Sequence, residues 1–201
     1  MLIADDGSTD GTTDAIAPIV RDHPSVRVIR NEPNQGKGAA VRRGMLAATG
    51  HYRLFADADG ATPIVELKRL EAALAAGAHV AIGSRARLDP SVSVVARPHR
   101  VVAGRVFGWM VRRIGPPDVR DSQCGFKAFT AAAATDLFTR LRTRGFAFDV
   151  ELLLLAHNAG YRVAEVPVNW ADQAGSKVAV LTNGPAMLWE IILVRLRTGR
   201  R

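Results

Sequence analysis

Two carboxylates one residue apart, Asp57-Ala58-Asp59, follow a short apolar run and are the residues whose types and spacing speak most directly of chemistry. In extended backbone, residues two apart point to the same side, so both carboxylates could face one cleft at the carboxyl edge of a sheet. Such a pair suits a hard divalent cation, Mg²⁺ or Mn²⁺. Mg²⁺ characteristically takes one or two protein carboxylates and fills its shell with water and phosphate oxygens. A polar turn with capping acids is the alternative reading, because Asp-x-Asp is a short pattern. A second acidic loop, Asp5-Asp6-Gly7-Ser8-Thr9-Asp10-Gly11-Thr12, offers acceptors for a ribose or a base edge, or else a strand-to-helix turn with Thr12 or Ser8 as cap. A third, Asn34-Gln35-Gly36-Lys37-Gly38, opens a helix whose free N–H groups and lysine suit a phosphate, although P-loop spacing is absent.

The elements that must position these loops alternate between strand and helix. Strands are expected over residues 1–4, 26–30, 52–56, 80–83, 126–129 and 162–170. Helices are expected over 12–22, 37–48, a segment capped by Thr62 with Pro63 in its first turn and ending at Gly77, 149–158 closed by Gly160, and 185–197. A basic stretch beyond Ser84 carries one more helical face, with Val101, Val106, Trp109 and Ile114, that ends at Gly115-Pro116-Pro117. Alternation of this kind predicts an α/β domain with a mainly parallel sheet flanked by helices. The 201 residues, 48% of them hydrophobic, suffice for one core and one domain.

Charge narrows the partners. Lys and Arg number 27 against 19 acids, a formal net charge of +8, which points to an anionic partner. Nucleic acid is not expected, because aromatic residues are only 6% and no helix-turn-helix, zinc-finger or RNP pattern occurs. No apolar run approaches the roughly 20 residues of a membrane span, and the first residues lack a signal-peptide layout. Cys124 is the single cysteine, which fits a cytoplasmic setting. The amphipathic segment 185–201, ending in Arg195, Arg197, Arg200 and Arg201, suits either core packing or an anionic membrane surface.

Taken in order, the three loops together with Gly83-Ser84-Arg85, Asp121-Ser122-Gln123-Cys124-Gly125-Phe126-Lys127, Phe148-Asp149-Val150-Glu151 and Gly175-Ser176-Lys177 resemble the family 2 glycosyltransferases of GT-A fold. Within that family the likeness is to dolichyl-phosphate (polyprenyl-phosphate) glucosyltransferases and their mannosyl relatives, and it covers essentially the whole chain. The resemblance implies Asp5 and Asp6 near the nucleoside, Gly36 and Lys37 near the diphosphate, Asp57 and Asp59 at the metal, and Arg85 and Arg100 on a lipid phosphate. Arg100 lies among Arg97, Arg105, Arg112 and Arg113, which could equally solvate a helix face. Asp121, Asp149 and Glu151 are the carboxylates that could act as a general base, with first-turn helix charges as the alternative for the last two. Such relatives begin with a further strand and helix carrying a Pro-x-Tyr-Asn-Glu type segment, and this chain starts after it.

The resemblance further implies an inverting, in-line transfer of a hexose from a nucleotide-sugar to a polyprenyl phosphate. UDP-glucose is the favoured donor and GDP-mannose the second, and the protein would sit peripherally at the inner face of the membrane. Transfer to a glycan hydroxyl, or a noncatalytic remnant that binds nucleotide or membrane, are the competing expectations.

Overall fold

The computed structural model describes residues 1–87, 89–95, 113, 119–173 and 180–199, with side chains of the last helix described from Met187 onward. The chain runs β1 (Leu2–Asp5), α1 (Thr12–Asp22), β2 (Arg27–Arg30), α2 (Lys37–Ala47), β3 (Tyr52–Ala56), a 3₁₀ turn (Ile64–Glu66), α3 (Leu67–Ala75), β4 (Val80–Ser84) and β5 (Val94–Val95). It continues through β6 (Phe126–Thr130), α4 (Ala131–Arg140), α5 (Phe148–Asn158), β7 (Val163–Pro167), β8 (Trp170–Ala171) and α6 (Val180–Thr198).

The central sheet has the order β3-β6-β4-β7, while β1 and β2 form a parallel pair of their own and β5 pairs with β8. The expectation of an α/β domain with a mainly parallel sheet holds, since β3, β4 and β7 share one direction. β6 runs antiparallel to both β3 and β4, so the central sheet is mixed. Side-chain alternation across this sheet makes two cores. Val80 and Ile82 of β4 and Phe129 of β6 face α2, α4 and α5, together with Phe55, Phe138, Phe148 and Leu152. Ala81, Phe126 and Ala128 face the other way, onto Leu70 and Leu74 of α3 and onto Val168. Covered on both sides, β6 is an almost unbroken buried run, Phe126 to Phe129, and its one charged residue, Lys127, is forced inside.

Several boundaries differ from the sequence expectation, each for a local reason. Thr62 is not a helix cap: Pro63 precedes a 3₁₀ turn, and α3 begins only at Leu67. The cap of α1 is Gly11, while Ser8 turns back onto Asp5. The strand expected over 162–170 divides into β7 and β8, because Val168 and Asn169 leave the sheet and Asn169 donates to Glu66 at 2.6 Å. Helix α4 goes beyond the short alanine run read at 131–134; Thr130 caps it by accepting from the Ala133 N–H, and Leu137 and Phe138 bury its inner face. Helix α6 starts at Val180, ahead of Pro185. The helix expected within 101–114, Arg100 and Gly175-Ser176-Lys177 lie outside the described residues, apart from helical Arg113.

Candidate active site

The carboxyl ends of β1, β3 and β4 carry the loops with chemical potential. Asp5, the last residue of β1, is buried and accepts from Ser8 through both the backbone N–H (3.1 Å) and the hydroxyl (2.5 Å). Its other oxygen lies 3.5 Å from Arg30 Nε. The Ser8 hydroxyl, above all, holds the Asp5 carboxyl below its ordinary range, with Arg30 helping and burial opposing. Asp6 accepts from the Asn31 amide (2.9 Å), the Gln35 N–H (3.0 Å) and the Gly36 N–H (2.7 Å). Those three donors make Asp6 the clasp between the first loop and the loop that opens α2.

Gly36 is needed there for two reasons. Its φ is +99°, and a Cβ would lie 2.5 Å from the Arg144 carbonyl oxygen.

The carboxylates of the Asp-x-Asp segment do not lie in extended backbone, since β3 stops at Ala56 and a turn begins. Asp57 faces inward: its oxygens are 2.7 and 2.8 Å from Lys37 Nζ, on the first residue of α2. Its backbone N–H donates to the Gly125 carbonyl at 2.8 Å. The carboxylate rests directly on the Gly125 backbone, where a Cβ would come within 2.0 Å of it. Asp59 is exposed and accepts from the Ala61 N–H at 3.0 Å, closing its own turn.

Behind this rim, Lys127 of β6 is fully buried and reaches Asp149 of α5 at 2.5 Å and the Cys124 carbonyl at 2.7 Å, with its ammonium 5.3 Å from the Phe55 ring. Burial pushes the Asp149 carboxyl above its ordinary value, against the pull of Lys127 and then Lys37. Asp121 receives the Arg85 backbone N–H at 2.9 Å and its Nε and Nη2 at 2.7 Å each, and also the Gln123 N–H at 3.3 Å. Burial alone would raise Asp121, but the Arg85 charge and hydrogen bonds outweigh it and keep the carboxyl below its ordinary value. The Arg85 guanidinium also lies 5.3 Å from the ring of Trp170 in β8.

Asp121, one of the carboxylates that could be read as a general base, thus has both oxygens engaged, by Arg85 and by the Gln123 N–H. Glu151, the other acid read as a base, accepts the Arg142 and Thr143 N–H groups and pins the 142–143 turn. One residue escaped the sequence reading altogether. Glu165 of β7 has a buried side chain that accepts from Ser84 Oγ, the Asp121 N–H, the Arg120 N–H and Arg87 Nε. An acid inside a strand otherwise written in Val, Ala and Pro was the available signal.

The arrangement brings together three cations and three carboxylates. Asp149 senses Lys37, Asp57 and Lys127, Asp121 senses Lys127, and Arg85 senses Asp149. Among the described residues no three His, Cys, Asp or Glu side chains converge on one point. A divalent ion here would therefore have at most Asp57 and Asp59 from the protein, with substrate and water oxygens for the rest, which is the pattern Mg²⁺ favours. The fit is supported by Asp57 itself, whose two oxygens already grip one positive charge.

The sequence description of glycosyl transferase family 2 matches residues 1–138. The chain belongs to that family. Dolichyl-phosphate beta-glucosyltransferase of Saccharomyces cerevisiae is 35% identical over 213 residues, covering 98% of this chain and 64% of its own length. The human protein of the same name is 36% identical over 206 residues, covering 98% and 63%. The chain thus spans less than two thirds of the length of these family 2 relatives. Glucosyl-3-phosphoglycerate synthase from Mycobacterium tuberculosis, in complex with phosphoglyceric acid, shares the fold at a TM-score of 0.70 and 20% identity, over 98% of this chain and 67% of that one.

Proposed function

We propose that this chain is the nucleotide-sugar-binding and catalytic part of an inverting hexosyltransferase that moves glucose from UDP-glucose to a polyprenyl phosphate, with GDP-mannose as the second donor to test. The observation that carries the acceptor class is the state of the candidate bases. Asp121 is filled by Arg85, Glu151 by backbone N–H groups, and Asp149 by a buried ammonium. A glycan hydroxyl needs a base to lose its proton, whereas a phosphate oxygen is already ionised and needs only to be aimed.

On this reading Asp5 and the loop clasped by Asp6 receive the nucleoside, and Gly36 and Lys37 meet the diphosphate. Asp57 and Asp59 hold Mg²⁺ or Mn²⁺. When bound, the ion neutralises charge growing on the departing nucleoside diphosphate. Arg85 presents the acceptor phosphate in line with the anomeric carbon, with Arg100 as a second contact by resemblance. Asp121 and Trp170 hold the Arg85 fork by Nε, Nη2 and its face, so its remaining Nη1 edge is preset for one anion. Glucose is favoured over mannose because the curated relatives named above carry that sugar in their names.

A transfer assay with UDP-glucose, GDP-mannose and a short polyprenyl phosphate tests the reading, and glucosyl phosphodiester is the expected product. Arg85→Lys keeps the charge and loses the fork, so KM for the polyprenyl phosphate rises about tenfold, the size of one charge-assisted hydrogen bond, while UDP-glucose affinity holds. Transfer only to hydroxyl acceptors, or equal loss of donor binding, would refute it.

The same reading places the protein peripherally at the cytoplasmic face of a membrane. No helix among the described residues is long and apolar enough to cross one. Helix α6 instead divides its apolar residues between two faces. Met187, Ile191 and Val194 pack on α5 through Ala147, Val150 and Leu154. Trp189, Leu193 and Leu196, at the same i, i+4, i+7 spacing, are exposed at 62%, 40% and 64%, beside exposed Arg195 and Arg197. Each arginine near an anionic leaflet adds about 1 kcal/mol, so binding to phosphatidylserine vesicles is expected to be reversible and weakened by salt. Flotation of a Trp189→Ser, Leu193→Ser, Leu196→Ser variant is expected to show most of the bound protein lost. Binding unchanged in that variant would assign α6 to core packing alone.

A further inference from the structure

Lys37 is the first residue of α2, and its ammonium lies 2.7 and 2.8 Å from the two oxygens of Asp57. It bridges both oxygens of a carboxylate that the proposed function gives to a divalent cation. The contact is only partly screened: both side chains are about 30% exposed, and the Phe146 ring lies 6.0 Å from the ammonium. A metal ion approaching Asp57 therefore meets a resident positive charge on the oxygens it needs, and a like charge a few ångströms away opposes its entry. A further acid near the pair, Asp149, is already held by Lys127 at 2.5 Å.

We propose that Lys37 is a resident counter-ion of Asp57 that gives up its place to the divalent cation only when a nucleoside diphosphate supplies new anionic partners for its ammonium. Lys37 would swing from the carboxylate to the diphosphate, which would free the Asp57 oxygens to hold the cation. Charge is conserved in the exchange: the diphosphate brings the negative charge that lets two cations occupy a space that held one. Metal and donor then bind with positive cooperativity, each raising the affinity of the other by the same factor. Metal alone binds poorly, and an empty site keeps its carboxylate neutralised. This inference rests on the metal assignment at Asp57 and adds an order of events to it.

The test is the binding of Mn²⁺ alone, UDP alone and the two together, measured by calorimetry and by the electron paramagnetic resonance signal of free Mn²⁺, in the unmodified chain, Lys37→Met, Lys37→Arg and Asp57→Asn. In Lys37→Met, Mn²⁺ alone is expected to bind about tenfold more tightly because a unit charge has left the oxygens, while UDP binds more weakly and the coupling between the two ligands shrinks. Lys37→Arg, which restores a cation, is expected to return metal-alone binding to its weak value. A Lys37→Met variant whose affinity for Mn²⁺ alone is unchanged or lower overturns the exchange, provided that Asp57→Asn still abolishes Mn²⁺ binding with UDP. If Asp57→Asn leaves Mn²⁺ and UDP binding intact, the metal assignment itself fails and the exchange falls with it. Circular dichroism of each variant separates these outcomes from loss of fold.

Discussion

Asp57→Asn is expected to lower Mn²⁺-dependent UDP-glucose binding about a hundredfold, because a divalent ion contributes several kcal/mol of charge stabilisation and this carboxylate faces the cation position. The fold is expected to survive. Asp57 and Lys37 are partly exposed and make an ion pair of the kind that is worth about 0–1 kcal/mol, so the urea midpoint moves little. Gly125→Ala tests the same site from the other side. Its added methyl group would fall 2.0 Å from an Asp57 oxygen and must push the carboxylate off its seat. A folded Gly125→Ala protein that has lost metal-dependent donor binding would show that the position of the carboxylate matters as well as its charge. Calorimetry of UDP-glucose with and without Mn²⁺ reads both variants, and full binding in Asp57→Asn would place the metal elsewhere.

Lys127→Met is expected to destabilise the protein by about 3–5 kcal/mol, the cost of leaving one member of a buried pair without its counter-charge. Lys127 is 0% exposed and Asp149 4%, and the ammonium bridges Asp149, on α5, and the Cys124 carbonyl, in the loop before β6. Removing the lysine leaves a buried carboxylate without the ammonium that now lies 2.5 Å from it. The double variant Lys127→Met, Asp149→Leu is expected to regain most of the loss, since apolar side chains of similar volume can occupy such a site without the desolvation cost. Urea denaturation of the two single variants and the double variant gives the coupling directly. Additive losses would mean that the pair is not a closed unit. The double variant is also expected to remain inactive if Asp149 serves the neighbouring Asp57 and Lys37 electrostatically, which distinguishes stability from function.

The loops were legible in the sequence because their signals are local. Gly36, Gly77 and Gly160 mark turns through positive φ, which other residues adopt rarely, and each stands where an element was expected to begin or end. The apolar spacing of 37–48 and 149–158 likewise placed α2 and α5 to within one residue. The start of α3 was missed because Pro63 with a preceding threonine serves a 3₁₀ turn as readily as an α-helix. The reversed direction of β6 was not legible in the sequence, because a strand buried on both faces has the same composition whichever way it runs.

Residue chemistry by itself determined that acidic loops follow strands, that a lysine opens a helix and that the chain is basic, and the order of its motifs carried the resemblance to one glycosyltransferase family, whose match spans residues 1–138. Those properties depend on neighbours within a few positions, so short-range rules reach them. Only the tertiary structure decided which charge answers which. Lys37 meets Asp57 across 20 residues, Lys127 meets Asp149 across 22, Arg85 meets Asp121 across 36, and Glu165 closes on Ser84 across 81. The physical reason is that a buried or half-buried charge takes whichever opposite charge the packing of strands and helices brings within about 3 Å, and that choice is made by the geometry of the sheet rather than by the spacing of the letters.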